Sequence, residues 1–573
     1  MRFGIFYEHQ LPRPWGPNDE QQLINDALEQ VELADRVGID YVWEVEHHFL
    51  EEYSHSSAPE VFLAAASQRT KRIRLGHGIV QLPPGFNHPA RVAERIAMLD
   101  LVSGGRVEFG TGESSSQMEL GGFGVDREQK REQWEEALDA ITRMFVEEPF
   151  AGYDGTYVKM PQRNVVPKPV QKPHPPLWVA CSRRDTILLA GKKGIGALSF
   201  SFVEPEEAKE WVDGYYAALA SEEASPAGFA VNPHVAVVLP FMCHEDEQTA
   251  IDRGIDGGHF FGYSLAHYYV FGRHVPGFTN VWNEFQEHRN EFGFAREIVT
   301  PTGEEEQLGV KLLQAGLGSL RGAVGTPNQI ADLVERYEAA GVDTVIFVSQ
   351  AGRNQHEHIC ESLELFGKEV LPRFAGEADK KDEERLARVA DMSNRAMLRR
   401  QPARQADPTY LATPEGEPNA APSTSAGVHT PTISELLQHK AQERFVHFLK
   451  GKNDQQLERI MGHKFMLSRI FRAMEKQFQP ARAAGFEGVI QYVLTTSRGE
   501  FPWAIDVHDG KATVAPTRTS SPAVTLTLSV PTFARMLSGD VEPGRAWLEG
   551  QVQIDGDLPV AARLGDMFGR SRF

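Results

Sequence analysis

Cysteine is scarce: Cys181, Cys243 and Cys360 are the only three in 573 residues, odd in number and far apart. They can form neither a disulfide framework nor a C-x-x-C metal pair, which fits a reducing compartment and predicts a cytoplasmic protein. Positive charge is short as well. Lys and Arg number 59 against 79 Asp and Glu, a formal charge of −20, and a protein that binds nucleic acid by neutralising phosphates needs the opposite sign. Long apolar runs are missing: none approaches the ~20 residues that span a bilayer. The segment Met1–His9 turns polar before it could supply the ~7–15-residue apolar core of a secretory signal. No Gly-Lys-Ser/Thr tripeptide occurs, which excludes a P-loop, and Gly110-Thr-Gly112 and Gly316-Leu-Gly318 each lack the last glycine of a dinucleotide fingerprint.

What is present is a repeated unit, an amphipathic helix that stops at glycine and is followed by an apolar strand. Leu23–Val37 places Leu23, Ile24, Ala27, Leu28, Val31, Ala34 and Val37 on one stripe, Gly38 suits a left-handed cap, and Tyr41–Val45 reads as strand. Thr186–Lys193, Gly194 and Gly196–Phe202 repeat it, as do Ile330–Ala340, Gly341 and Asp343–Ser349. Further strands are expected at Phe3–Tyr7, Ile73–Val80, Val107–Gly110, Leu177–Ala180 and Val235–Cys243, with helices at Pro89–Leu101 and Gln129–Phe145 between them. Strands separated by helices pair in parallel through right-handed crossovers. Eight of them over about 370 residues predict an α/β fold of the closed (β/α)8 TIM-barrel type, with an open doubly wound sheet as the alternative.

After Phe374 the composition changes. Residues 375–431 are first dense in charge and then rich in Pro, Ala and Ser, and are expected to form a linker. From 432 to 573 period-two alternation returns at Val489–Leu494, Trp503–Val507, Lys511–Ala515 and Val524–Val530. Asp509-Gly510 marks a hairpin turn, and short helices are expected near Glu443–Leu449, Phe465–Glu475, Thr532–Leu537 and Pro559–Phe568. The expectation is a separate α+β domain with antiparallel strands.

The chemistry-bearing residues cluster at the carboxyl end of the second strand, in Glu44-Val45-Glu46-His47-His48-Phe49. In a barrel that end carries the catalytic loops. Carboxylates favour a protonated imidazole and burial opposes it, so adjacent histidines with acidic neighbours can hold one ring near neutral pKa for general-base work. A pair of hydrogen-bonded structural histidines is the other reading of the same spacing.

Residues 1–374 resemble the bacterial luciferase-like flavin monooxygenases. The resemblance rests on Glu46-His47-His48-Phe49, Ile73-Arg74-Leu75-Gly76 leading to Leu82-Pro83, His88-Pro89, and Leu99-Asp100 leading to Ser103-Gly104-Gly105-Arg106. Gly325-Thr326-Pro327 through Ala340-Gly341-Val342-Asp343 completes it. It implies a (β/α)8 barrel that binds reduced FMN, or in some branches F420, at the carboxyl ends of the strands. It further implies that His47 is the catalytic histidine with His48 beside it. Glu46, Gly78, Ile79, Gly112, Glu113, Ser114, Ser182 and Arg183 would then lie against the cofactor. Gly78-Ile79 falls where the family often has a nonprolyl cis peptide, Gly112 where luciferase has a reactive cysteine, and Glu113 where it has a phosphate-binding arginine. A carboxylate cannot pair with phosphate, so Ser182, Arg183 and Arg184 are the expected replacements.

Residues 432–573 resemble the sterol carrier protein type 2 fold through Gly488–Val493, Trp503–Val507 with Asp509-Gly510-Lys511, Ala523–Val530 with Thr532-Phe533, and Gln553–Asp557. That implies a hydrophobic tunnel with contributions from Phe465, Phe471, Phe533, Met536, Trp547 and Met567, each of which is equally readable as core. His356-Glu-His358-Ile-Cys360 lacks the H-E-x-x-H spacing, and no metal is expected there. The aromatic stretch Gly257–Phe278 reads as core or as a lid, and the resemblance favours a lid.

Three functions stay open. The leading one is a two-component monooxygenase that takes FMNH2 from an NAD(P)H-dependent flavin reductase and, with O2, oxidises a small hydrophobic substrate, a carbonyl compound above others. The second is an F420-dependent hydride transfer without O2. The third is a non-catalytic flavin or lipid binder. A homodimer is expected from the resemblance, with neither a nucleic-acid partner nor a membrane span.

Overall fold

The computed structural model describes residues 1–199, 204–288, 321–412, 449 and, with short interruptions, 452–568. The chain divides into two compact units, Met1–Ala420 and Ala421–Phe573.

The first unit is a closed parallel barrel. Its strands are β1 (Arg2–Tyr7), β2 (Tyr41–Glu44), β3 (Arg74–His77), β4 (Val107–Gly112), β5 (Leu177–Cys181), β6 (Gly196–Ser199), β7 (Val235–Cys243) and β8 (Thr344–Gln350). Each pairs in parallel with the next, and β8 closes on β1 through Arg2↔Thr344 to Phe6↔Val348. Closure excludes the open doubly wound sheet. The helix-to-strand units are as expected: Gly38, Gly194 and Gly341 have φ of 112°, 62° and 90°, left-handed values that a β-carbon would disfavour. Inside the barrel Trp43 and Trp178 meet edge to face at 5.2 Å. They fit because glycine faces them: a Cβ at Gly76 would lie 2.2 Å from the Trp43 ring, and one at Gly196 would lie 2.4 Å from Trp178. These filled layers make the barrel a packed core, so a ligand must bind at its rim.

Three expectations are corrected. The third strand does not run unbroken to Val80; it ends at His77, and Val80–Gln81 resumes pairing against Thr111–Gly112 of β4 after a step at Gly78-Ile79. Among the described residues the cis peptide bonds are all X-Pro, so the Gly78-Ile79 bond is not the nonprolyl cis peptide that the resemblance suggested. The charge-dense start of the expected linker is a helix, Ala378–Met397, that packs on the barrel. Most of its charges fall on the outward face while Val389 and Ala396 are buried, and two turn inward, Asp382 to Arg2 at 2.8 Å and Arg385 to Asp343 at 3.0 Å. Beyond it, Arg400 pairs with Asp139 and Arg404 with Glu147 of the barrel. Residues 413–431 of that linker lie outside the described residues.

The second unit holds a five-stranded sheet. Its strands are β9 (Gly488–Thr496), β10 (Gly499–His508), β11 (Lys511–Ala515), β12 (Val524–Ser529) and β13 (Val552–Gly556), in the order β11-β10-β9-β12-β13. Asp509 and Gly510 take φ of 49° and 68°, both left-handed, as a two-residue hairpin turn demands. One pair departs from the antiparallel expectation, since β9 and β12 are parallel, Ile490↔Val524 to Thr495↔Ser529. Helices Lys464–Gln477 and Val530–Ser538 carry the core, where Phe471 stacks on Trp503 at 4.8 Å and on Phe533 at 5.8 Å. Phe471, Phe533 and Met567 are thus core, Phe465 is exposed on the surface, and Trp547 lies outside the described residues. No described helix is long and apolar enough to cross a membrane.

Candidate active site

At the carboxyl ends of the barrel strands lies a cavity of about 460 Å³. Its inner end is lined by Glu8, His47, Tyr53 and Tyr269, its floor by Gly78, Ile79 and Gly112, and its outer end by Glu113, Ser114, Lys130, Arg131, Ser182 and Arg183. The segment expected to be a lid forms one wall. Residues Glu247–Ala266 are a helix and His267–Phe271 continue it as one wide turn, so Phe261, Leu265 and Tyr269 are held by packing rather than by a mobile loop.

His47 follows β2 and is gripped from both sides. Its Nδ1 lies 2.9 Å from Glu119 Oε1 and its Nε2 lies 3.6 Å from Glu8 Oε2. Burial would lower its pKa, but the two carboxylates outweigh that and push it up to about 9. The imidazole is therefore cationic at neutral pH, which does not match the near-neutral general base read from the sequence. Glu119, wholly buried, also accepts from the His48 backbone N–H at 3.0 Å, Gln81 Nε2 at 2.7 Å and Ser114 Oγ at 3.0 Å. These donors and His47 overcome its burial and hold it below the usual carboxylate range. Glu8 behaves oppositely: burial raises it to about 7 even though His47 and Tyr53 pull it down.

The expected site residues separate into two groups. His47, Gly78, Ile79, Gly112, Glu113, Ser114, Ser182 and Arg183 line the cavity, whereas Glu46 and His48 do not. Glu46 accepts from Gln81 N at 2.8 Å and Asn87 Nδ2 at 2.8 Å, and His48 leans on Glu46 at 3.3 Å and edge-on against Phe123. Both brace the loop that presents His47. Gly112 is glycine for space: a Cβ there would lie 2.6 Å from Ile79 Cδ1.

Glu113 is neutralised in place. Arg131 grips it with two bonds of 2.8 and 2.9 Å, and Lys130 lies 3.5 Å away, which outweighs its burial and keeps it ionised. With Arg127 and Arg183 the cations at this end outnumber its carboxylates, Glu113 and Glu128. Two helix amino ends, Lys130–Val146 and Arg184–Lys193, also meet this end and turn their positive poles toward it. Positive charge beside position 113 thus comes from the first turn of the helix Lys130–Val146.

Sequence reasoning missed Glu8, Tyr53, Gln81, Glu119, Lys130 and Arg131. Glu8 was findable, because it directly follows β1 just as His47 follows β2, and strand carboxyl ends carry function in a barrel. Glu119 had no such signal. It rides a six-residue helix, Gln117–Gly122, whose approach is allowed by a glycine, since a Cβ at Gly122 would lie 2.4 Å from the Phe49 ring. His356 and Cys360 only approach each other at 3.7 Å, and no group of three or more His, Cys, Asp or Glu among the described residues is placed to hold a metal.

A family model described as luciferase-like monooxygenase matches residues 1–344, and one described as the SCP-2 sterol transfer family matches residues 467–569. The oxygenase component of the flavin-dependent trigonelline monooxygenase of Acinetobacter baylyi is 24% identical over 379 residues, 65% of this chain and 96% of that protein. The 4-hydroxyprotoasukamycin monooxygenase of Streptomyces nodosus subsp. asukaensis is 28% identical over 384 residues, 66% of this chain and 94% of that one. Monooxygenase RslO1 from Streptomyces bottropensis, a solved structure, superimposes with a TM-score of 0.50 at 25% identity over 65% of this chain and 100% of its own.

Proposed function

The chain belongs to the luciferase-like monooxygenase family, fused to a domain of the SCP-2 sterol transfer family, and on that premise we propose that it is the oxygenase component of a two-component flavin-dependent monooxygenase. Reduced FMN from a separate NAD(P)H-dependent reductase and O2 are its co-reactants, and a small hydrophobic carbonyl compound is its substrate. The observation that carries this is the cavity itself, with a histidine held between two carboxylates at one end and a surplus of cations at two helix amino ends at the other.

The residues fit an FMN. Lys130, Arg131 and Ser182, with the amino end of the helix Arg184–Lys193, would hold the phosphate, and Ile79, beside Gly78 and Gly112, offers an apolar surface to the ring. When bound, the reduced flavin supplies the electrons that activate O2. The protein's own contribution is to orient, to exclude water and to hold a proton. Phe261, Leu265 and Tyr269 close the wall against solvent. His47 keeps its proton at neutral pH, so it acts as a donor to an oxygen that gains charge. Glu119, tied to His47 Nδ1, leaves Nε2 as the atom that faces the cavity. The terminal domain would bind and present lipophilic substrate.

Anaerobic titration of the full chain with FMNH2 and with reduced F420, followed by O2, tests this reading. Tight FMNH2 binding and an O2-dependent absorbance change support it; binding of reduced F420 alone, with hydride transfer and no O2 uptake, would replace it.

A further inference from the structure

Glu8 is a buried acid that the reading so far leaves without a task. Its Oε1 accepts from Tyr53 Oη at 2.9 Å, while Oε2 makes no hydrogen bond among the described residues. That free oxygen lies 3.6 Å from His47 Nε2, the ring atom left over once Glu119 has taken Nδ1. Buried polar atoms are nearly always partnered, and an unpartnered one beside a ligand-sized cavity marks a place where a ligand atom belongs.

We propose that Glu8 Oε2 and His47 Nε2 form a paired donor site that receives the carbonyl oxygen of the substrate. Two donors 3.6 Å apart can both reach one oxygen at ~2.8 Å, the ordinary hydrogen-bond length. The pair then polarises the C=O and stabilises negative charge that gathers on that oxygen. The proton balance is simple: in the bound state Glu8 keeps its proton on Oε2 because Tyr53 occupies Oε1, and His47, held cationic by Glu119 once Glu8 is neutral, keeps its own on Nε2, so no further acid or base is required. An alkene offers no such oxygen, and an alcohol oxygen has no C=O to polarise and must place its own proton between two donors, so the site selects aldehydes and ketones.

Electrostatics support the geometry. The groups that face Glu8 are His47 from the end of β2, Tyr53 from the loop after it, Glu44 on β2, Glu119 from Gln117–Gly122 and Tyr269 from the wide turn. Burial and the neighbouring carboxylates Glu44 and Glu119 raise Glu8 and the His47 cation lowers it, with a net rise to about 7. The carboxylic acid form, the one able to donate, is thus present at neutral pH and is lost as pH rises through about 7.

This rests on the monooxygenase reading, and the test separates the two. The full chain is first saturated with reduced FMN under anaerobic conditions, followed by flavin absorbance; failure here counts against the flavin reading alone, and the rest is then run on the protein without flavin. Carbonyl-13C cyclohexanone and the aldehydes from hexanal to dodecanal are then bound, and the C=O stretch is read by infrared difference spectroscopy. The expected result is a stretch lowered from its value in water, with affinity that falls above about pH 7. Glu8→Leu should bind about tenfold more weakly and lose the lowered stretch, as expected for one hydrogen bond to a polarised oxygen. Glu8→Gln, which keeps the shape and one donor, should bind with no pH dependence across neutrality. The proposal is overturned if no carbonyl compound binds, if the alcohols bind as well as their aldehydes, or if Glu8→Gln keeps the wild-type pH dependence.

Discussion

Glu119 Oε1 lies 2.9 Å from His47 Nδ1, and the same oxygen accepts from Gln81 at 2.7 Å and from the His48 backbone at 3.0 Å. One wholly buried carboxylate therefore fixes the orientation and charge of the histidine that meets the cavity. Replacing it by Gln should leave the hydrogen-bond shape largely intact but remove the charge, so His47 should titrate at lower pH. Histidine ring NMR of Glu119→Gln against wild type reads this directly.

The raised His47 makes stability depend on pH in a definite direction. A group whose folded pKa, about 9, exceeds its ordinary value of 6.5 stabilises fully below 6.5 and loses that contribution as pH rises through 9. The amount is on the order of 3 kcal/mol. Glu8, raised to about 7, adds to the decline at lower pH by the same sign. Urea unfolding from about pH 6 to about pH 9.5 should show the loss in wild type and a flatter profile in His47→Gln.

For turnover, His47→Ala should cost about 10²–10⁴-fold in kcat if its proton serves the reaction. His48→Ala should cost much less, because that ring packs on Phe123 outside the cavity. Steady-state oxidation of one aldehyde at saturating FMNH2 compares them.

Arg131→Ala should weaken FMN binding by about 10²-fold, more than a single lost hydrogen bond, because it also leaves Glu113 only partly neutralised beside the phosphate. The loss should shrink as salt is added. Flavin fluorescence titration at two ionic strengths measures both effects.

Truncation should depend on where the cut falls. Ending the chain after residue 412 keeps the helix Ala378–Met397 and should give a folded, flavin-binding barrel, with a higher KM for a lipophilic aldehyde and nearly unchanged kcat if the terminal domain presents substrate. Ending it after Phe374 removes the helix that buries Val389 and Ala396 and whose Arg385 bonds Asp343, so this piece should melt at a lower temperature than the one that ends after residue 412.

By itself the sequence determined what is periodic and local. Apolar stripes with a glycine stop, followed by short strands, bury their faces in a parallel α/β sheet, which closure of β8 on β1 then made a barrel, and Asp509-Gly510 marks a tight turn. It also placed His47 at a strand end. What it could not determine is whatever depends on residues far apart in the chain. The separation of 72 positions from His47 to Glu119 carries no pattern that says the two will touch. The proton on the imidazole follows from that contact and from burial, both properties of the folded state. The same holds for Glu113, unsuitable for a phosphate when read alone and neutralised once the helix start brings Arg131 beside it. It holds too for Ala378–Met397, whose charge suggested a linker until packing showed which face those charges occupy. Local propensity is written in neighbours along the chain; charge state and chemistry belong to neighbours in space.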